Sequence, residues 1–189
     1  MKIYFMRHGE SESNAAGKFA GWWNVPLTER GLEQAKCAAG KLRNIRFDRI
    51  FSSDLQRARS TCEAVLPGCS YTVDERLREL YCGKIERLPV KEAMALYPDA
   101  SNYGRKIGDC SSVGGESRDE FWGRIKAFLC DLEKDPCENV AVFTHAGVVR
   151  AMFNMTFDTL CLGKISNPNC VVAVFELNNG KLSLDAWNI

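Results

Sequence analysis

Residues 139–144, NVAVFT, form a continuous apolar strand pattern. A strand of this kind has no face to turn toward water, so it belongs in a parallel sheet covered on both sides. KIYFM, residues 2–6, reads as a second short buried strand. Each run leads directly to a histidine, His8 in MKIYFMRH and His145 in NVAVFTH, and the chain has no others.

Strand and helix patterns alternate along the rest of the chain. SESNAAGK reads as a helical turn and FAGWWNVPL as a loop carrying two tryptophans. Thr28 caps a helix over ERGLEQAKCAAGKLRN, whose apolar positions recur every three or four residues. DRIFSS (48–53) is expected as a strand, followed by the helix DLQRARSTCEAVL with Ser53 as its cap. SYTVDERL (70–77) is expected as a third strand. From about 80 to 115 the pattern weakens to one short helix, VKEAMALYP, among Gly, Asp and Ser. Long irregular stretches of this kind often carry function, so it reads as a lid insertion over a site. GGESRDEFWGRIKAFLCDLEKD and GVVRAMFNM are helices, and the tail is a hairpin around Asn179-Gly180. The alternation predicts an α/β three-layer sandwich with a mostly parallel central sheet, helices on both faces and an antiparallel edge strand. Residues 1–189 are expected to form one domain.

Composition narrows the partners. Lys plus Arg (25) nearly balances Asp plus Glu (24), so no global field holds nucleic acid or an anionic membrane. Anion binding must be local. No stretch approaches the roughly 18 apolar residues of a membrane span, and the N-terminal apolar run is too short for a signal peptide. The nine cysteines are odd in number, contain no C-x-x-C and sit mostly in apolar or helical patterns. They are expected to be free thiols, buried or half-buried, in a reducing cytoplasm, with no disulfide or metal role. A homodimer is compatible with this reading.

Ligands of open parallel sheets bind where strands end at their carboxyl edge. His8, Ser52-Ser53 and His145 all follow strands. Arg7 beside His8 suggests an anion, because a guanidinium offers a planar donor fork matched to phosphate or carboxylate oxygens. Gly9 permits close backbone approach. Arg57 and Arg59 lie two positions apart on the same expected helix and face opposite ways, so only one can reach the strand ends.

RHGESESN, SSDLQRARSTC, ERLRELYCGKIE, GGES and THAGVVRAM together resemble the histidine phosphatase superfamily, also called phosphoglycerate-mutase-like. The resemblance runs from residue 7 to about 152, with the motifs in the family's order. It implies that His8 is a nucleophile that becomes phosphohistidine. It likewise implies that Arg7, Arg57 and His145 form the phosphate pocket, with Ser11, Asn14 and Gly21 in the phosphate- and substrate-binding loop. Glu79 is implied as general acid. By sequence alone Glu75 or Glu86 compete for that role; the family's leucine-x-glutamate pattern selects Glu79. No metal or cofactor is implied.

The family's usual residues are absent at Asn24, Ile85, Arg87 and Val113, away from these chemical groups, and the differences bear on substrate and lid packing. Only 66 positions separate Glu79 from His145, fewer than in typical mutases of the family. That spacing favours a phosphatase of a small phosphorylated metabolite. A phosphoglycerate-type mutase and a non-enzymatic phospho-ligand binding protein are the alternatives. α-Ribazole phosphatases and broad-specificity sugar and glycerate phosphatases share this length and motif order. Tyr81, Arg87, Lys91, Tyr97, Tyr103, Arg105 and Lys106 of the lid, with Trp22 and Trp23, would favour a compound with ring and acidic groups where they face inward.

Overall fold

The computed structural model describes residues 1–98, 109–160 and 165–189. Tyr103, Arg105, Lys106 and Cys161 lie outside the described residues. Strand β1 (Lys2–Arg7) is followed by the short helix α1 (Glu12–Ala15), helix α2 (Glu29–Leu42), β2 (Arg49–Ser52), α3 (Gln56–Val65) and β3 (Thr72–Val73). The chain continues through α4 (Val90–Leu96), α5 (Arg118–Glu133), β4 (Asn139–Thr144), α6 (Ala146–Phe157), β5 (Val172–Asn178) and β6 (Lys181–Trp187). The sheet order is β3-β2-β4-β1-β5-β6. The first four strands are mutually parallel, β5 runs antiparallel to β1, and β6 runs antiparallel to β5.

Both faces of β1 and β4 are buried, which is why these runs lack polar alternation. Ile3, Phe5, Val140 and Val142 face Phe121, Ile125 and Phe128 of α5 and Val148, Val149 and Met152 of α6. Met6, Ala141 and Phe143 face Ala35, Ala38 and Leu42 of α2 and Cys62 and Val65 of α3. The result is the expected three-layer sandwich. The hairpin turns at Asn179 (φ 49°) and Gly180 (φ 72°), a pair of left-handed residues suited to a two-residue hairpin loop.

Two local expectations change. The third strand shrinks to Thr72–Val73 because Asp74 accepts the Arg76 N–H at 2.9 Å and starts a 3-10 turn over Glu75–Leu77. Helix α3 begins at Gln56, with Leu55 rather than Ser53 at its N-cap. Asn24 Oδ1 accepts the Gln56 N–H at 2.7 Å. Ser53 is instead turned toward His145. All eight described cysteines are free thiols, but Cys37 and Cys130 are exposed rather than packed. No described helix is long and apolar enough to cross a membrane.

Register decides where the strand ends meet. Arg7 pairs with Thr144, and the His8 N–H donates to the Thr144 carbonyl at 2.9 Å. On the other side of β4, Ser52 pairs with Phe143, and the Ser53 N–H donates to the Phe143 carbonyl at 2.9 Å. His8, His145 and Ser53 therefore leave three adjacent parallel strands at one carboxyl edge.

Candidate active site

A cavity of about 310 Å³ opens at this edge, lined by Arg7, His8, Asn14, Gly21, Arg57 and Glu79, with Lys18, Phe19, Ala20, Cys82, Val90, Ala146 and Arg150 completing the wall. Its volume is at the low end for small-molecule sites.

His8 is almost wholly buried, and its Nδ1 lies 2.6 Å from the Gly9 carbonyl. A carbonyl only accepts, so Nδ1 carries the hydrogen and the neutral ring keeps its lone pair on Nε2. Burial and the charges of Arg57 and Arg7 hold the imidazole well below its ordinary pKa, which keeps it neutral at pH 7. The Gly9 N–H donates to Thr61 Oγ1 (3.1 Å), and a Cβ at Gly9 would lie 2.3 Å from the Gly31 carbonyl oxygen. Only glycine fits between His8 and helix α2.

His145 stands edge-on to His8, with ring centroids 5.2 Å apart. It is wholly buried and lies behind the cavity lining. Its Nε2 is 2.9 Å from Ser53 Oγ, and Ser53 Oγ accepts the Leu55 N–H at 3.3 Å. A hydroxyl can give one hydrogen and accept two, so Ser53 Oγ and His145 Nε2 share one hydrogen bond whose donor follows the ring tautomer. The His145 Nδ1 is buried with no partner among the described residues. Burial, followed by the charge of Arg57, keeps this ring neutral as well.

Arg57 is fully buried and donates from Nη1 to the Trp23 carbonyl (2.9 Å) and from Nη2 to the Gly21 carbonyl (2.7 Å). Its Nε is buried without a partner among the described residues. Burial pushes its pKa down to about 10, so it remains a cation at pH 7. Arg59 points outward, with Nε 3.4 Å from the Tyr71 hydroxyl. Arg7 Nη1 donates to the Asn167 carbonyl, and Asn167 Nδ2 donates to the Ala146 carbonyl at 3.0 Å.

The Glu79 carboxylate accepts the Leu80 N–H at Oε1 (2.9 Å) and the Gly147 N–H at Oε2 (3.1 Å). Gly147 sits in the first turn of α6, so a helix end supplies one of these donors. The backbone behind Glu79 is clamped. Arg124 donates to the carbonyls of Arg76 (2.6 Å), Arg78 (2.7 Å) and Glu79 (2.8 Å). Arg124 also pairs with Glu116 at 2.8 Å, and Glu116 Oε2 accepts the Tyr81 N–H at 2.8 Å. Glu116 is the acid of GGES, and this is the task the fold gives it. Of the competing acids, Glu75 is 72% exposed and pairs with Arg78, while Glu86 accepts the N–H groups of Trp22 (2.7 Å) and Cys82 (3.3 Å). Neither lines the cavity.

Asn14 lines the cavity, and its Oδ1 accepts from the Ser11 N–H and from Asn169 Nδ2, each at 3.2 Å. Ser11 is buried away from the cavity; its hydroxyl caps α1 and bonds to Ser13 Oγ at 2.9 Å. From the region read as a lid, Cys82 and Val90 line the cavity, whereas Tyr81 packs on Trp22 and Arg87 stacks on Trp23. The Cys82 thiol is pushed well above its ordinary pKa by a hydrogen bond with Cys110 and by burial, which makes it a poor nucleophile. Sequence reasoning passed over Lys18 and Arg150. The four-residue spacing of Ala146 and Arg150, which puts both on one helix face, is the signal that marks Arg150.

Residues 3–189 match the sequence profile of the histidine phosphatase superfamily, branch 1. An adenosylcobalamin/α-ribazole phosphatase of Salmonella typhimurium is 34% identical over 155 residues, covering 79% of this chain and 76% of that protein. A metal-independent phosphoserine phosphatase of Arabidopsis thaliana is 32% identical over 194 residues, covering 99% of this chain and 81% of that protein. A solved structure of a mycobacterial glucosyl-3-phosphoglycerate phosphatase with VO3 has a TM-score of 0.88 at 27% identity, covering 99% of this chain and 98% of that one. With the profile spanning nearly every residue, this chain belongs to the histidine phosphatase superfamily.

Proposed function

We propose that the protein hydrolyses the phosphate monoester of a small metabolite through a phosphohistidine on His8. The observation that carries this reading is the His8–Gly9 hydrogen bond of 2.6 Å, which reserves Nε2 as the lone-pair nitrogen of a buried neutral ring. In the first step Nε2 attacks phosphorus and the bond from phosphorus to the ester oxygen breaks. Glu79, as general acid, gives a proton to that oxygen and the alcohol leaves. In the second step water attacks the phosphohistidine, Glu79 takes its proton, and inorganic phosphate departs with the Nε2 lone pair restored.

Charge gathers on the three equatorial oxygens during each transfer, and catalysis depends on fixed donors around them. Arg7 and Arg57 supply cations. The unpartnered Arg57 Nε and His145 Nδ1 are buried polar atoms held at structural cost, and phosphoryl oxygens in the cavity would offer acceptors to Arg57, which lines it. The short spacing from Glu79 to His145 supports release to water over retention of a bisphosphate intermediate.

Glu79→Gln tests the assignment. A nitrophenolate, with its own pKa of about 7, leaves with little need of an acid. The variant is expected to release about one nitrophenol per site in a burst and then stall for want of an activated water. With an alkyl phosphate it is expected to give neither burst nor turnover. Normal hydrolysis of both esters would remove Glu79 from the mechanism.

A further inference from the structure

Glu79 lies between two 3-10 turns, Glu75–Leu77 and Gly83–Ile85, in a stretch that is neither strand nor helix. The position of its backbone therefore depends on side chains that reach it. Two donors converge on its carbonyl oxygen, Arg124 Nη2 and the indole Nε1–H of Trp22, each at 2.8 Å. Arg124 comes from α5, whereas Trp22 belongs to the loop between α1 and α2 and does not line the cavity. We propose that Trp22 is a positioning residue, which registers the carboxylate of Glu79 against the phosphate pocket. This rests on the phosphatase reading above and deepens it by a residue that acts through Glu79.

The other end of the link is Arg57. Its Nη1 and Nη2 donate to the carbonyls of Trp23 (2.9 Å) and Gly21 (2.7 Å), the residues on either side of Trp22. The cation that faces the phosphate site thus also holds the loop, and the loop holds the backbone of the acid. Trp22 is in turn seated against the segment it positions. The Arg78 guanidinium carbon lies 4.7 Å from the centre of its ring, and the Tyr81 ring centroid lies 5.0 Å away. The Trp22 N–H donates to Glu86 Oε1 at 2.7 Å, and the Cys82 N–H reaches the same oxygen at 3.3 Å. Trp22 therefore touches Arg78, Glu79, Tyr81 and Glu86 from one place in the loop.

A carbonyl oxygen has two lone pairs, and both are used at Glu79. Removing the indole donor leaves Arg124 to hold the carbonyl from the α5 side alone. A misplacement of about 1 Å costs on the order of 100-fold in rate. With Arg124 still in place the shift is smaller, and a loss of about tenfold is expected. Nitrophenyl phosphate separates the two steps that Glu79 serves. Nitrophenolate leaves with little need of an acid, whereas hydrolysis of the phosphohistidine requires a proton to be taken from water.

The test is rapid-quench kinetics with nitrophenyl phosphate on the native protein, Trp22→Phe, Glu79→Gln and the double variant. Phenylalanine keeps a ring against Arg78 and Tyr81 and removes only the N–H. Nitrophenol release reports phosphorylation of His8. The rise and decay of the phosphoenzyme give its hydrolysis as a first-order constant, which does not depend on how much of a preparation is folded. We expect Trp22→Phe to slow hydrolysis about tenfold while phosphorylation and inhibition by inorganic phosphate stay within about twofold of native. In the Glu79→Gln background the same substitution should change hydrolysis by less than about twofold, since two residues acting through one group are not additive. Trp22→His, which retains a ring N–H, should recover part of the loss. Hydrolysis within about twofold of native in Trp22→Phe, or a tenfold loss that persists in Glu79→Gln, overturns the proposal. An equal loss in phosphorylation or in phosphate binding, or a Trp22→Phe chain that forms no phosphoenzyme, overturns it too, because Trp22 would then prop the whole pocket. Under any of these results, a native phosphoenzyme that turns over leaves the phosphatase reading standing. If the native protein forms no phosphoenzyme and releases no phosphate, both readings fall.

Discussion

Replacing Gly147 by alanine would place a methyl group where the Glu79 carboxylate now lies. Its Cβ would stand 1.9 Å from Oε1, 3.0 Å from the carboxyl carbon and 3.3 Å from Phe121 Cζ. Moving Oε1 from 1.9 Å to an ordinary contact at 3.4 Å requires a retreat of about 1.5 Å. The retreat also breaks the Gly147 N–H bond to Oε2. The displaced atoms are the far end of a flexible side chain, so the fold yields cheaply. Alanine also has a helix propensity about 1 kcal/mol better than glycine, and the net stability change should stay within about 1 kcal/mol. Catalysis is less forgiving, because a misplacement of about 1 Å costs on the order of 100-fold and a general acid contributes roughly 100- to 10,000-fold. Thermal unfolding combined with kcat/KM on an alkyl phosphate and on nitrophenyl phosphate separates the two effects. We expect a nearly unchanged Tm, a loss of about 100-fold on the alkyl ester and a much smaller loss in the nitrophenol burst. An alkyl phosphate kcat/KM within about threefold of the native value would refute the placement of the proton donor.

Arg57→Ala should lower kcat by about 100- to 1,000-fold, as for loss of an oxyanion partner, whereas Arg59→Ala should shift stability by no more than about 0.5 kcal/mol and leave kcat near native. Steady-state kinetics of the pair checks this, and a reversed ranking would misplace the helix face. His8 and His145 are both held neutral well below their ordinary value of 6.5. Above that pH neither contributes; below it the unfolded chain takes up protons that the folded protein refuses, so stability falls as pH drops. Urea unfolding from pH 7.5 toward 5 should show this loss, at most about 1.4 kcal/mol per pH unit for each histidine, with a shallower slope in His8→Gln. An identical slope in the variant would contradict the burial of a neutral ring.

The layers of this fold are legible because β1 and β4 are apolar on both faces, a pattern few other environments tolerate. The sheet order is not, since it depends on which crossover passes over which strand, and no local residue records that. His8 and His145 stand out as the only histidines and as strand-end residues. Their approach to 5.2 Å needs the Arg7–Thr144 register, a tertiary fact. Ser53 was misjudged for a physical reason. A serine before a helix reads as a cap, but its hydroxyl serves His145 Nε2 and the helix starts later. Arg150 sits in GVVRAMF, where the apolar neighbours describe the helix's buried face and conceal the cavity at its edge. The clamp of Arg124 and Glu116 on the backbone around Glu79 joins residues 35 to 48 positions apart, beyond the reach of spacing arguments.

The most direct measurement is the site of covalent labelling. The protein, native and as Glu79→Gln, is mixed with nitrophenyl phosphate, quenched within milliseconds in base, digested and analysed by mass spectrometry. The account predicts one phosphoryl group, labile in acid and stable in base, on the peptide containing His8, accumulating toward one per chain in the variant and absent from His8→Ala. A phosphoryl group on any other residue, or full ester hydrolysis with His8→Ala, would contradict it.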